Sequence, residues 1–370
     1  MSPNGEPLRN PFDIKELGPA AEGALQPWGY PEHEKLYLAV DQTQQAYERF
    51  IDFLPPMRRD GKHPGRLVVV TGERGSGKTS LIHRCVHRLQ QALADTTLKI
   101  VDVTRYEPFS PPAPEGRSVL ENYFDRLAHR VLTEVHAEDD NYPDPGATIM
   151  PAPSAYARLS GHLRSRKEFA AIILPAFLDQ VNSPGQEGEL ALARVHPVQH
   201  YMGFRVERVF FFLESRNPEA VRSWHRQLDG DGKAEAIVLS LGPLKDHDGW
   251  TYAGGRLART PNPGWPTVDR QMMENLVPAD RRMTLSALRE LCHDVWRQAI
   301  ADGDATVTDK HISKFHERQA ESFEERRPYL PDDNPGTEGP EAPPTEGPPP
   351  EAPHRPGTDE DESGDETDAK

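Results

Sequence analysis

The segment Gly72-Glu73-Arg74-Gly75-Ser76-Gly77-Lys78-Thr79 constrains this chain more than any other. It follows the apolar, β-branched run Leu67-Val68-Val69-Val70, and after it Leu81, Ile82, Cys85, Val86, Leu89 and Leu93 recur at helical spacing. A strand, a glycine-rich turn and a helix are therefore expected in that order. Glycines at this spacing let successive backbone N–H groups turn toward one point where a Cβ would often obstruct, and the helix N-terminus adds its partial positive charge there. The ligand that suits such a cradle is a triphosphate. Lys78 is expected to reach its β and γ phosphates, and the Thr79 hydroxyl to ligate Mg2+. The expected contacts are Gly72, Glu73, Arg74, Gly75, Ser76, Gly77, Lys78, Thr79 and Ser80, with ATP and Mg2+ as cofactors. On the same helix His83 and His87 stand four apart, a metal-pair spacing. They lie opposite the apolar face with no third ligand evident, so a solvated polar face is expected.

A chain of 370 residues has room for one large or two modest domains. Its longest apolar run, Phe169 to Leu178, is interrupted by Pro175 and falls far short of the ~20 residues that span a bilayer, so no membrane partner is expected. Met1-Ser2-Pro3-Asn4-Gly5-Glu6 lacks the basic and apolar regions of a secretory signal, and Cys85 and Cys292 have no metal-type spacing. A cytoplasmic location is the expectation. The net charge of −16 is unevenly spread: Pro331 to Lys370 carries −11, leaving −5 for the rest. That tail is rich in proline and glycine and nearly free of large apolar groups, so it is expected to be disordered. The basic clusters Arg58-Arg59-Asp60-Gly61-Lys62 and Arg164-Ser165-Arg166-Lys167 are short and mixed, and read as surface loops. Nucleic acid is accordingly not favoured as a partner.

Five strands are expected: Arg66 to Val70, Leu98 to Val103, Phe169 to Leu174, Arg208 to Leu213 and Glu235 to Leu241. Helical patterns at Asp41 to Leu54, Ser118 to Val135, Glu189 to Met202 and Glu219 to Leu228 alternate with them. Alternation of this kind implies a mostly parallel sheet covered on both faces. The proline-rich stretches Glu107 to Arg117 and Ala137 to Ser154 read as inserted loops. Gly249 to Pro266, with Trp250, Tyr252, Gly254, Gly255, Arg256 and Trp265, reads as a packed irregular connection, or else as an aromatic partner-binding loop.

Five strands with the phosphate loop on the first resemble the P-loop ATPases of the additional-strand class, which include the AAA+ and STAND groups. The resemblance runs from Asp41 to Ile312, and Asn10-Pro11-Phe12 is similar to the N-terminal approach of bacterial ATPases of this type. Ser286-Ala287-Leu288-Arg289-Glu290-Leu291 through Val307-Thr308-Asp309-Lys310-His311-Ile312 resembles the helical lid of origin-recognition-type AAA+ proteins. The implied fold is an α/β three-layer sandwich on a mostly parallel five-stranded sheet, followed by a small α-helical lid and a disordered tail. The implied organisation is an N-terminal extension (1–30), an ATPase domain (31–245, with an insertion at 107–166 between strands two and three), a lid (246–328) and the tail (329–370).

The resemblance also implies site residues. In that class the third strand ends in acids that hold Mg2+ and activate water, and the fourth in a polar sensor of the γ-phosphate. Here Asp179 is the lone carboxylate near the end of the third strand and stands several residues past its apolar core, and the paired acids of an efficient hydrolase are missing. Glu214, closing the run Val209-Phe210-Phe211-Phe212-Leu213, is the rival, although strand order gives it, Ser215 or Asn217 the sensor position. Arg289 matches the lid arginine that reaches the γ-phosphate, with Arg282 as its neighbour, and Arg216 faces either the γ-phosphate or another subunit. The expected function is ATP binding with slow hydrolysis, driving a conformational switch or assembly step. A P-loop small-molecule kinase and a nucleotide-binding scaffold without turnover are the alternatives. A GTPase is disfavoured because no Asn-Lys-x-Asp motif occurs. An unknown protein partner, or a second copy of the chain, completes the expected partners.

Overall fold

A computed structural model of the chain describes residues 8–13, 23–40, 42–54, 63–105, 119–137, 149–176, 206–216, 221, 235–245, 247–259, 261–277 and 283–325. Every residue of β1 (Arg66–Thr71) is buried, as a β-branched run flanked by strands on both edges requires. Its neighbours are β4 (Val209–Ser215) and β5 (Glu235–Ser240), and beyond β4 lie β3 (Phe169–Ile173) and β2 (Leu98–Asp102). All four pairings are parallel, in the order β2-β3-β4-β1-β5. Such pairings need crossovers, and among the described residues helices supply two of them: α2 (Lys78–Ala92) between β1 and β2, and α3 (Val119–His136) with α4 (Ala152–Arg166) between β2 and β3, while α1 (Thr43–Phe53) precedes β1.

The period-two alternation of each strand divides the core in two. Leu67, Val69, Ile172 and Phe211 point to one face and pack with Leu127 and Val131 of α3 and Leu159 of α4. Val68, Val70, Phe210 and Phe212 point to the other and pack with Phe50 of α1 and Ile82 and Leu89 of α2. A third cluster joins α5 (Asp248–Arg259), α6 (Arg270–Asn275), α7 (Leu285–Asp302) and α8 (Asp309–Glu325) around Met273, Leu288, Val295 and Trp296. Gly303 ends α7 in the left-handed conformation (φ 73°). By internal contacts the chain divides into residues 1–320 and 321–370, and of the second unit only 321–325, the end of α8, are described. Among the described residues no helix is long and apolar enough to cross a membrane.

Several expectations change. Residues Ala152–Ser154 do not extend a loop: they open α4, whose N-terminus places Pro153 where no intrahelical donor is lost. The basic run at 164–167 is that helix's C-terminus, where cations complement the dipole and Lys167 caps it at φ 58°. Gly249 to Arg259 is not an irregular connection but lies within α5. Its glycines serve close approach: a Cβ on Gly255 would stand 2.6 Å from Leu38. The helices expected at 189–202 and 219–228, apart from residue 221, and the tail at 329–370 lie outside the described residues.

Candidate functional site

Strand β1 ends at Thr71, and the loop that follows doubles back by taking Gly75 and Gly77 to positive φ (78° and 90°), where a Cβ is disfavoured. Gly77 caps α2, and Lys78, its first residue, is 6% exposed. The Lys78 ammonium donates to the loop's own carbonyls, Gly72 O at 3.1 Å and Glu73 O at 2.8 Å. Ser76 Oγ is buried with no hydrogen-bond partner, and the Thr79 hydroxyl makes no hydrogen bond among the described residues. Ser80 behaves otherwise. Its hydroxyl accepts from Leu25 N at 3.1 Å, and its carbonyl lies 2.7 Å from the Tyr37 hydroxyl that donates to it.

A polar cavity of about 260 Å³ opens over the loop. Arg74, Lys78 and Thr79 line one wall, Glu214 and Arg216 from the end of β4 another, and Ser286 and Arg289 from the start of α7 a third. Register explains Glu214: it pairs with Val70, one residue before β1 ends. The lid is docked on the loop through the backbone, because Ser286 N donates to Gly75 O at 2.9 Å. Thr284 caps α7 by accepting from Ala287 N at 3.3 Å, so the helix N-terminus faces the cavity with Arg289 one turn on. Among the described residues the end of β3 contributes no acid: after Ile173 come Leu174, Pro175 and Ala176, the first two buried. Asp179, Arg282 and Asn217 lie outside the described residues.

The donor set fits a triphosphate with Mg2+. Ser76 and Thr79 hold hydroxyls without partners among the described residues, and Thr79 and Glu214 line the same cavity.

Beside this cavity and sharing Gly75, Gly77, Ser80, Ser286 and Arg289 with it is a largely apolar chamber of about 110 Å³. Leu25, Leu36, Tyr37, Leu38 and Val40 line it from a strap at 23–40, Leu81 and Arg84 from α2, Tyr252 and Arg256 from α5, and Leu285 from α7. The strap corrects the reading of His83 and His87. They do not form a solvated face, because the strap covers it: His83 Nδ1 donates to Leu25 O at 3.1 Å, Trp28 packs edge-on against its ring, and His87 pairs with Glu34 at 3.3 Å. Burial pushes the His83 pKa down. Farther upstream, Phe12 stacks on Tyr252 and meets Trp296 edge-on, while the Asn10 amide donates to His293 O, so residues 10–13 are anchored on the lid helices. Nothing local in the sequence marks these contacts, whose partners are separated by up to 283 residues.

Compared with protein-family profiles and with curated proteins, the sequence matches none. Solved structures do resemble it. An Aeropyrum pernix ORC2 protein (ADPNP–ADP complexes) is 17% identical at a TM-score of 0.46, over 74% of this chain and 66% of that one. Drosophila ORC bound to DNA is 11% identical at 0.46, over 76% and 63%. The Aeropyrum pernix ORC1 protein in complex with DNA is 17% identical at 0.48, over 80% and 69%. The chain thus spans slightly under two thirds of the length of the first two. With a parallel sheet ordered β2-β3-β4-β1-β5, a phosphate loop between the interior strand β1 and α2, and a helical lid docked on that loop, this chain has the fold of the AAA+-type P-loop ATPases.

Proposed function

We propose that this chain binds ATP with Mg2+ between the phosphate loop and the lid and works as a nucleotide-dependent switch with slow hydrolysis. The observation that carries the reading is the polar cavity, where Lys78 and Thr79 of the loop, Glu214 of the sheet and Arg289 of the lid share one space. The loop's N–H groups and Lys78 hold the phosphates, Thr79 and Glu214 hold the metal, and the adjoining apolar chamber takes the nucleoside. Bound Mg2+ would neutralise charge on the phosphate oxygens. Arg289, on a helix hydrogen-bonded to Gly75, would feel whether a γ-phosphate is present, which couples nucleotide state to lid position.

Slow turnover follows from the acids. Among the described residues Leu174-Pro175-Ala176 leaves the end of β3 without a carboxylate and Glu214 on the adjoining strand is the acid that lines the cavity, so we assign it the water-orienting role. Asp179 is the reserve candidate. Partner choice and the process controlled follow the same logic: a lid that moves with nucleotide presents a changed surface to another protein, a second copy of this chain included. Lys78→Ala should lower ATP affinity at least about 100-fold, the worth of one or two charged hydrogen bonds. Calorimetric titration checks this, and unchanged affinity would sink the site. The kinase alternative predicts label from γ-labelled ATP on a metabolite, whereas the switch predicts it on inorganic phosphate.

A further inference from the structure

Helix α5 holds Gly249, Gly254 and Gly255 among its 12 residues. Glycine is among the poorest helix formers, so the position of α5 depends on what packs against it. Leu38 of the strap fills the space that Gly255 leaves, and Phe12 is stacked on Tyr252, the ring centroids 5.9 Å apart and the planes 26° from parallel. The same Phe12 ring meets Trp296 of α7 edge-on at 4.8 Å. Being 3% exposed, it is a buried bridge between α5 and α7. Short-range bonds set its place: Asn10 Oδ1 accepts from Phe12 N at 2.9 Å, and Asp13 N donates to Asn10 O at 3.1 Å. Bonds to the lid then hold this turn, since the Asn10 amide donates to His293 O at 2.6 Å, Trp265 Nε1 donates to Arg9 O at 2.8 Å, and His293 Nε2 pairs with Asp13 at 3.0 Å.

Tyr252 connects this packing to the site, because it also lines the apolar chamber. Leu25, Leu36, Leu38, Leu81 and Leu285 beside it fill volume around a ligand without offering it a flat face. The chamber's other ring, Tyr37, is already covered by the Arg84 guanidinium at 5.0 Å. An aromatic face serves a ligand only when the plane of its ring is fixed. Resting on the nucleotide reading above, we infer that Phe12 is a positioning residue of the nucleotide site: it fixes the Tyr252 ring against which the nucleoside packs, and residues 9–13 hold Phe12 in place. Phe12 lines neither cavity, so it acts through Tyr252. Its action is confined to the nucleoside end. It reaches α7 at Trp296, seven residues after Arg289 and about 10 Å farther along the helix axis, away from the phosphate cavity that Arg289 lines.

The test is calorimetric titration of the full chain with Mg2+, using ATP and inorganic tripolyphosphate, which has no nucleoside. Phe12→Leu keeps the lid core apolar but removes the stacked ring. It should lower ATP affinity about fivefold, within the range of one aromatic pair, while tripolyphosphate affinity changes less than about twofold. Tyr252→Leu should cost ATP at least as much, and Phe12→Leu added to it should cost nothing further, because the two rings act as one unit. Should Phe12→Leu not fold, Asn10→Ala, which frees the turn from His293, should give the same selective loss at about twofold. Equal losses for ATP and tripolyphosphate would make Phe12 a prop of the whole lid and overturn the assignment. Additive losses in the double variant, or ATP affinity left unchanged by Phe12→Leu, would overturn it too, and the double variant decides by itself if tripolyphosphate binds too weakly to titrate. All of these outcomes leave the nucleotide reading standing, whereas a wild-type chain that does not bind ATP overturns that reading and this role with it.

Discussion

The two ends of the cleft are built by opposite means. At the phosphate end, eight consecutive residues from Gly72 to Thr79 set the geometry, and the decisive conformations belong to Gly75 and Gly77. At the end proposed for the nucleoside the walls come from the strap, α2, α5 and α7, brought together by packing, and no two neighbouring walls share a sequence signal. A local motif encodes the first because backbone conformation is a local property. The second depends on long-range burial, which tolerates many residue types. The phosphate grip should therefore fail abruptly on single substitution, and the lid and strap should yield by degrees.

The largest expected effect lies where the phosphate end is irregular. With Glu214 as the acid that orients water, Glu214→Gln should reduce ATP turnover at least about 100-fold while ATP still binds, as loss of a general base does. Steady-state phosphate release measures it. Turnover that survives would move the acid to Asp179 and return the phosphate end to the ordinary strand arrangement.

How much of this was legible follows the same division. The strands stood out because Val68, Val70, Phe210 and Phe212 alternate with Leu67, Val69 and Phe211 across a sheet buried on both faces. The helix that carries Arg289 was expected from the resemblance of Ser286 to Ile312 to a helical lid, and it is there as Leu285–Asp302. The helix α5 was not, because Gly254-Gly255 reads as a breaker when propensity alone is weighed, although Gly255 is there to admit Leu38. Nor was the strap, since the polar face of α2 that carries His83 and His87 looks solvated until residue 25 is known to lie on it. Ser80 lines the polar cavity as its adjacency to the loop suggests, and its hydroxyl also accepts from Leu25 N, a contact that nothing local announces.

Arg289→Ala tests the coupling between the two ends. It should cost about tenfold in ATP affinity and leave ADP affinity nearly unchanged, since one charge-assisted contact from a half-buried arginine is worth about 1.5 kcal/mol. Equal losses for both nucleotides would remove Arg289 from the γ-phosphate. Thr284→Ala should have a milder effect: loss of an N-cap costs about 1 kcal/mol and would loosen the start of α7 over Gly75. Thermal unfolding with and without ATP checks it, and a deficit that disappears when nucleotide is bound would show that the ligand, not the cap, holds the lid.

The smallest effect belongs to the strap and depends on pH. Burial depresses the His83 pKa, with the Leu25 carbonyl and Asp102 acting in the opposite direction. A second proton would go to Nε2, which is buried without a partner among the described residues. The folded state therefore binds fewer protons than the unfolded state just below the ordinary histidine value. Stability from this group is complete above about pH 6.5 and is lost as pH falls toward the depressed value. Because Trp28 packs against the His83 ring, its emission should shift to the red as pH falls below about 6.5. The shift should be absent after Trp28→Phe and flattened by His83→Gln. A pH-independent Trp28 signal would mean that the strap is held by its backbone contacts to Ser80 and by Tyr37, and would make it as resistant to local change as the phosphate loop is sensitive.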